Sequence, residues 1–250
     1  MKVAIGFFGI TRSLKYTIDS IRENVFNALD SENIEFDVFV HCYFLTTYKN
    51  KRTGENIQNS SQIDNDEYKL LNPKYYKQDN QDDIAENLNL KQFRTHRDPW
   101  NSNYNSVDNF ILAAYSKYML TSMINQNIKE YDYVLFMRPD CLYLHKLKSD
   151  FFKLVTDTSI VMPSFGCCPT EGDVNDRFAI TNTKNYKIYG EVYTQLLEIS
   201  KKQCLHSETI LALILKKRNS LSIQKVKFDF CRVRCDGSIH DKGLLNMDKR

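Results

Sequence analysis

The chain opens on a nearly unbroken apolar run, Lys2 to Phe8 (KVAIGFF), which closes in Gly9-Ile-Thr-Arg12. Behind it Leu14, Ile18, Ile21, Val25 and Leu29 recur at helical spacing, so strand, turn and helix are expected. Phe36 to Phe44 (FDVFVHCYF) is a second run rich in aromatic and β-branched residues. The first 44 residues therefore predict a right-handed βαβ unit with buried parallel strands.

From Leu45 to Asn105 the pattern breaks into Asn, Gln, Asp and Lys with scattered apolar positions. No strong core element is expected in this insertion, although short helices or strands are expected around Tyr68 to Tyr76 and Ile84 to Phe93, against the alternative of a mobile low-complexity segment. Periodicity returns at Ser106, an expected N-cap, with Val107, Phe110, Ile111, Ala114, Tyr118 and Thr121 on one face of a helix running to about Ile128. Tyr131 to Met137 reads as a strand that must end at Arg138, because Pro139 cannot donate to a ladder.

Ser159 to Pro163 and Arg177 to Thr181 read as further strands, and Tyr186 to Ile199 as a helix. Ser207 to Lys217 reads as another helix, with Ser207 as its cap. Phe228 to Arg234 alternates apolar and polar, as a half-exposed strand near the sheet edge would. The elements predict an α/β, Rossmann-like fold with a mixed, mostly parallel central sheet flanked by helices, in one domain over 1–250 made of the halves 1–145 and 146–250.

Composition narrows the function classes. Against 34 basic residues stand 31 acidic ones, too even a balance for the phosphate-covering surface of a nucleic-acid binder. The seven cysteines form no CxxC pair and no regular framework, which fits a reducing, cytoplasmic compartment. No run reaches the roughly 18 apolar residues of a membrane span, so no stable membrane insertion is expected. Oligomeric state is not legible.

In open α/β sheets, ligands bind beyond the carboxyl ends of the strands, and two loops qualify. In Gly9-Ile-Thr11-Arg12, glycine permits close backbone approach, the helix start offers N–H groups to an anion, and Arg12 adds a fork of donors. Arg138-Pro-Asp140-Cys-Leu-Tyr143 sets a carboxylate just past a buried strand, as a hard cation would want. A plain turn at Gly9 and a structural ion pair between Arg138 and Asp140 are the competing accounts.

The segment YDYVLFMRPDCLYL after a long helix resembles the GT-A glycosyltransferases that use nucleotide sugars, in the variant of capsule and giant-virus enzymes where R-x-D replaces D-x-D. An N-terminal KVAIGFFGITRSLK, a second strand FDVFVHCY, the segment NDRFAI and a C-terminal R-x-R-x-DG stretch occur in the same order. The resemblance implies transfer of a sugar, UDP-linked, from a nucleotide-sugar donor to a glycan or glycoprotein acceptor. It further implies that Asp140 holds Mn²⁺ or Mg²⁺ and that Gly9, Thr11 and Arg12 line the nucleotide. Arg138 stands where the family has its first Asp, which opens a metal-independent alternative.

An inverting transferase needs a carboxylate to take the acceptor's proton. Asp176 is the first candidate, Glu208 the second and Asp173 the third, while capping or solvation remains the plain account of each. Lys225, Lys227, Arg232, Arg234, His240 and Lys242 form a basic stretch in which Arg232 and Arg234 are expected on the diphosphate, with His240 as a second metal ligand. His41, inside an apolar strand, is expected to be a hydrogen-bonded core histidine. A methyltransferase of Rossmann type would show a Gly-rich first loop, which this chain lacks; a non-catalytic nucleotide- or carbohydrate-binding protein would not require the Arg-Pro-Asp turn.

Overall fold

A computed structural model describes residues 1–50, 54–57, 63–165 and 174–240. In chain order the strands are β1 (Lys2–Gly9), β2 (Glu35–Phe44), β3 (Tyr48–Asn50), β4 (Glu55–Ile57), β5 (Tyr75–Asn80) and β6 (Tyr133–Met137). They continue as β7 (Cys141–Tyr143), β8 (Ser159–Pro163), β9 (Phe178–Asn182), β10 (Ser222–Val226) and β11 (Phe230–Arg232). Seven of them form the central sheet in the order β10-β8-β9-β6-β1-β2-β5.

The sheet is mixed and mostly parallel, as expected. β1 pairs in parallel with both β2 and β6, β2 with β5, and β10 with β8; only β9 runs against its neighbours β6 and β8. Alternation along β1 feeds two cores: Val3, Ile5 and Phe7 pack on one face, Ala4 and Phe8 on the other. The first face is covered by the helical stretch after β1, which runs through Leu14–Ile21, a π-helical turn Arg22–Phe26 and Asn27–Ser31. The five apolar positions read from its sequence are all buried. The second face carries the long helix Asn105–Gln126 and the helices Tyr186–Gly190, Tyr193–Ser200 and Ser207–Ala212.

Several local expectations are corrected. Ser106 lies inside the first turn of the long helix, whose N-cap is Tyr104 at φ 64°. The start is tied down from outside: Asp98 accepts from the backbone of Ser102 and Tyr104, and the Ser102 hydroxyl accepts from the Ser106 N–H. Tyr186 to Ile199 is two helices, the first ending at Gly190, where a Cβ would lie 2.1 Å from Thr121 Oγ1. Glycine there lets the segment close on the long helix. His206, not Ser207, caps the next helix.

Phe228 to Arg234 is not at the edge of the central sheet. Its strand β11 pairs with β7 in a separate two-stranded ribbon, with Phe228, Phe230, Cys231 and Val233 buried, and β10 forms the edge instead. The short elements expected around Tyr68 to Tyr76 and Ile84 to Phe93 are present, as Glu67–Leu71, Tyr75–Asn80, Gln81–Asn87 and Leu90–Phe93, but the polar insertion also contributes to the core, which was not expected. It supplies edge strand β5, the antiparallel pair β3-β4, and buried Tyr48, Ile57, Tyr68, Leu71 and Phe93.

Strand order creates a crevice. After β1 the chain moves outward to β2 and β5, then returns to lay β6 on the other side of β1. The carboxyl ends of β1 and β6 thus flank a topological switch point, the place where open α/β sheets bind ligands. Gly9-Thr11-Arg12 and Arg138-Asp140 leave the sheet there.

Candidate active site

Gly9 turns at φ 104°, a conformation suited to glycine. Its N–H donates to Ser116 Oγ at 2.8 Å, and the same hydroxyl lies 2.8 Å from Nδ1 of His41, whose Nε2 is 3.1 Å from Asp79. His41 is therefore the hydrogen-bonded core histidine that was expected. Thr11 is buried and its carbonyl accepts from the Leu14 N–H.

The helix start that follows does not offer its donors as expected. Glu67, buried on the 3₁₀ turn Glu67–Leu71, accepts the Lys15 N–H at 3.1 Å. A carboxylate of the chain itself already occupies the favourable end of the helix dipole. Beside it, the fully buried Ser13 hydroxyl has no hydrogen-bond partner.

Arg12 is buried, not a surface cation. Its Nε and Nη2 donate to the two oxygens of Glu55 at 3.0 and 3.4 Å, and its guanidinium lies 4.5 Å from the centroid of the Tyr48 ring. Glu55 also accepts from Arg234 Nη1 at 3.4 Å and from the Cys235 N–H at 3.2 Å. Burial, followed by the nearby guanidiniums of Arg232 and Arg12, holds Arg234 below its ordinary pKa in spite of Glu55. Two residues of the insertion, Tyr48 and Glu55, thus organise two predicted site arginines.

Asp140 is 1% exposed, and both its oxygens accept from the Arg138 fork, Oδ1 from Nε at 2.8 Å and Oδ2 from Nη2. The turn is fixed from the backbone: Thr17 Oγ1 donates to the Pro139 carbonyl at 2.6 Å and the Val233 N–H to the Asp140 carbonyl at 2.9 Å. The β7-β11 ribbon brings Arg232 opposite Cys141. Burial would raise the Asp140 pKa, but Arg138, Arg12 and Arg232 outweigh it and hold the carboxyl down to about 2. It is an anion throughout the neutral range.

Four guanidiniums (Arg12, Arg138, Arg232, Arg234) and two carboxylates (Glu55, Asp140) therefore come together at the switch point. This set does not fit a divalent cation at Asp140. Both carboxylate oxygens are engaged by Arg138, and two more guanidiniums press on the same group. His240, the other predicted ligand, has Nδ1 3.0 Å from Arg232 Nη2. Among the described residues no group of three His, Cys, Asp or Glu side chains could hold a metal.

A second charged row adjoins the first. Asp176 Oδ1 is 3.5 Å from Arg177 Nε, and both atoms are buried without a hydrogen-bond partner. Arg177 Nη2 reaches Glu208 at 3.3 Å, and Glu208 lies 3.8 Å from His206, whose ring stacks on Trp100 at 4.9 Å. Lys117, buried on the long helix, sets Nζ 3.8 Å from the Tyr189 ring centroid. Burial lowers its pKa to about 7, against the field of Asp176. Burial would raise Asp176, but Arg177 and Arg138 hold it below its ordinary value.

Most of the predicted residues gather at this crevice. Lys225 is instead exposed on edge strand β10, and Asp173 and Lys242 lie outside the described residues. Glu55, Glu67 and Lys117 were missed by sequence reasoning. The first two sit in a polar segment with no periodic signal, and the third breaks an otherwise apolar helix face.

Among the described residues no helix is long and apolar enough to cross a membrane. No family model and no curated protein matches the chain. Solved structures with a similar course of the chain include the galactosyltransferase LgtC in complex with donor and acceptor sugar analogues. That pair is 13% identical, covers 86% of this chain and 70% of the other, and has a TM-score of 0.47. A glycosyltransferase involved in glycosylation of the major capsid of PBCV-1 is 8% identical over 90% of this chain and 81% of its own, at 0.44. Mouse xyloside xylosyltransferase 1 in its apo form is 12% identical over 90% and 85%, at 0.45. Likenesses this distant carry no argument about activity, which must come from the site.

Proposed function

We propose that the chain is a glycosyltransferase that moves a sugar from a UDP-linked donor to a hydroxyl of a glycan, with inversion at the anomeric carbon, within one domain. The observation that carries this is the cluster of four guanidiniums and two carboxylates at the switch point between β1 and β6. Guanidiniums gathered at that place, two of them buried and two partly exposed, suit a diphosphate, and bidentate arginine suits phosphate oxygens.

In this mechanism Arg12, Arg138, Arg232 and Arg234 bind the diphosphate and stabilise the negative charge that grows as the bond from sugar to phosphate breaks. Asp176, anionic at neutral pH, accepts the proton of the acceptor hydroxyl as its oxygen bonds to the anomeric carbon. Glu208 holds Arg177 and thereby the position of Asp176. Trp100, stacked on His206, borders the acceptor side.

A panel of nucleotide sugars tests the class. The cognate donor at a hundredfold its Kd should add about 2.7 kcal/mol of apparent stability, a Tm rise of about 5–11 °C for a chain of this size. Mass spectrometry should then show free nucleoside diphosphate and an extended glycan acceptor. A panel that neither stabilises the protein nor releases nucleotide would refute the proposal.

A further inference from the structure

We infer that this chain neutralises the donor diphosphate with guanidinium groups alone, without a divalent cation, and that Asp140 acts as a positioning residue for Arg138 instead of a metal ligand. The inference rests on the nucleotide-sugar proposal above and deepens it. Its first support is directional. Both Asp140 oxygens receive the Nε and Nη2 of Arg138, so the carboxylate faces its neighbour's fork and is closed to solvent.

The second support is the set of groups that face Asp140. Arg138, Arg12 and Arg232 all act on its carboxylate, so a divalent ion would have to settle among guanidiniums. Hard cations require an oxygen-rich shell, whereas the described groups around Asp140 are mainly donors.

The third support is the helix after β1. Its start is occupied by Glu67, so backbone N–H groups do not receive the anion and side chains must. Arginine performs this task without a metal because its fork matches two phosphate oxygens at once. In this arrangement Glu55 does for Arg12 and Arg234 what Asp140 does for Arg138: each carboxylate fixes the plane of a guanidinium by a fork or a shared contact.

Calorimetric titration of the wild-type chain with UDP, GDP and CDP, in excess EDTA and again in excess Mn²⁺ or Mg²⁺, tests the inference. The expected result is one nucleoside diphosphate whose affinity in EDTA stays within about tenfold of its affinity with metal. Binding seen only with metal, or more than about tenfold tighter with it, would overturn the inference and leave the donor proposal standing. No binding in either buffer would overturn the donor proposal and this inference with it.

Two variants separate positioning from folding. Asp140→Asn releases the Arg138 fork and should weaken the diphosphate in EDTA while the parent nucleoside binds as before, with no recovery on adding Mn²⁺ or Mg²⁺; an unchanged diphosphate affinity, or one that metal restores, would contradict the positioning role. Arg138→Lys keeps the charge and loses the fork. It should weaken the diphosphate by more than about tenfold in EDTA while leaving the affinity of the parent nucleoside unchanged, a ratio that general misfolding would not move. Equal weakening of both ligands would count against the role given to Arg138.

Discussion

Replacing Glu55 by glutamine tests the electrostatic organisation of the crevice directly. The glutamine fills the same volume, so packing is preserved and only the charge is removed. The Glu55 side chain is 4% exposed, as is that of Arg12, while Arg234 is 10% exposed. A surface pair of this kind would contribute less than about 1 kcal/mol. Here the change leaves two buried guanidiniums without their shared anion, and breaking a buried pair by removing one partner costs about 3–5 kcal/mol. Because the amide oxygen can still accept one bond, the lower bound of about 3 kcal/mol is the expected loss. That corresponds to a Tm lower by about 6–12 °C. Urea unfolding followed by circular dichroism measures it, and added nucleoside diphosphate should recover more stability in Glu55→Gln than in the wild type, since the anion replaces the missing charge. A loss below about 1 kcal/mol would show that the arginines are effectively solvated and would refute the buried-cluster account.

Three further outcomes are expected. Gly190→Ala places a Cβ 2.1 Å from Thr121 Oγ1 and 2.8 Å from its Cγ2, and should lower stability by about 1–3 kcal/mol; Thr121→Ala in the same chain should restore part of it, and a double-mutant cycle with no coupling would reject the contact. Burial holds His41 neutral with a pKa near 4, against the pull of Asp79, while the unfolded imidazole titrates near 6.5. The unfolded chain therefore binds the extra proton first. Stability is fully present above about pH 6.5 and falls by about 3 kcal/mol as pH drops to 4; His41→Gln should lack that window, and parallel wild-type and variant curves would contradict it. Asp176→Asn should reduce kcat by at least about a hundredfold with donor affinity little changed, whereas an unaltered rate would move the base role to Glu208.

The parts of the fold legible in the sequence were those whose hydrophobic period is local. The run from Lys2 to Gly9, the five buried positions of the helical stretch after it, and Tyr133–Met137 ending before Pro139 all carry their signal within a few turns or residues. Edge strand β5 (YYKQDN) was harder, because an edge strand pairs on one side only and needs no apolar run to hold its register against β2. The β7-β11 ribbon was misplaced for a related reason. The alternation of Phe228 to Arg234 specifies a strand with one apolar face but does not say which partner covers it.

The site was legible in its cations and illegible in its anions. Arg12 and Arg138 each follow a strand end, and Arg232 and Arg234 lie in a basic stretch, where a cation stands out in the sequence. Glu55 and Glu67 sit among Asn, Asp and Lys, where a carboxylate is unremarkable until the fold brings it to a partner. Glu55 lies 43 residues from Arg12 and 179 from Arg234, and Glu67 lies 52 from Lys15. Such pairs have no period and no spacing, since the desolvation that makes them strong exists only in the folded chain. The consequence is that the polar insertion is part of the crevice's electrostatics: it closes the helix start with Glu67 and sets the orientation of Arg12 and Arg234 with Glu55. An anion entering between β1 and β6 would meet a field whose sign comes from Arg12, Arg138, Arg232 and Arg234 and whose geometry comes in part from the segment with the least hydrophobic pattern.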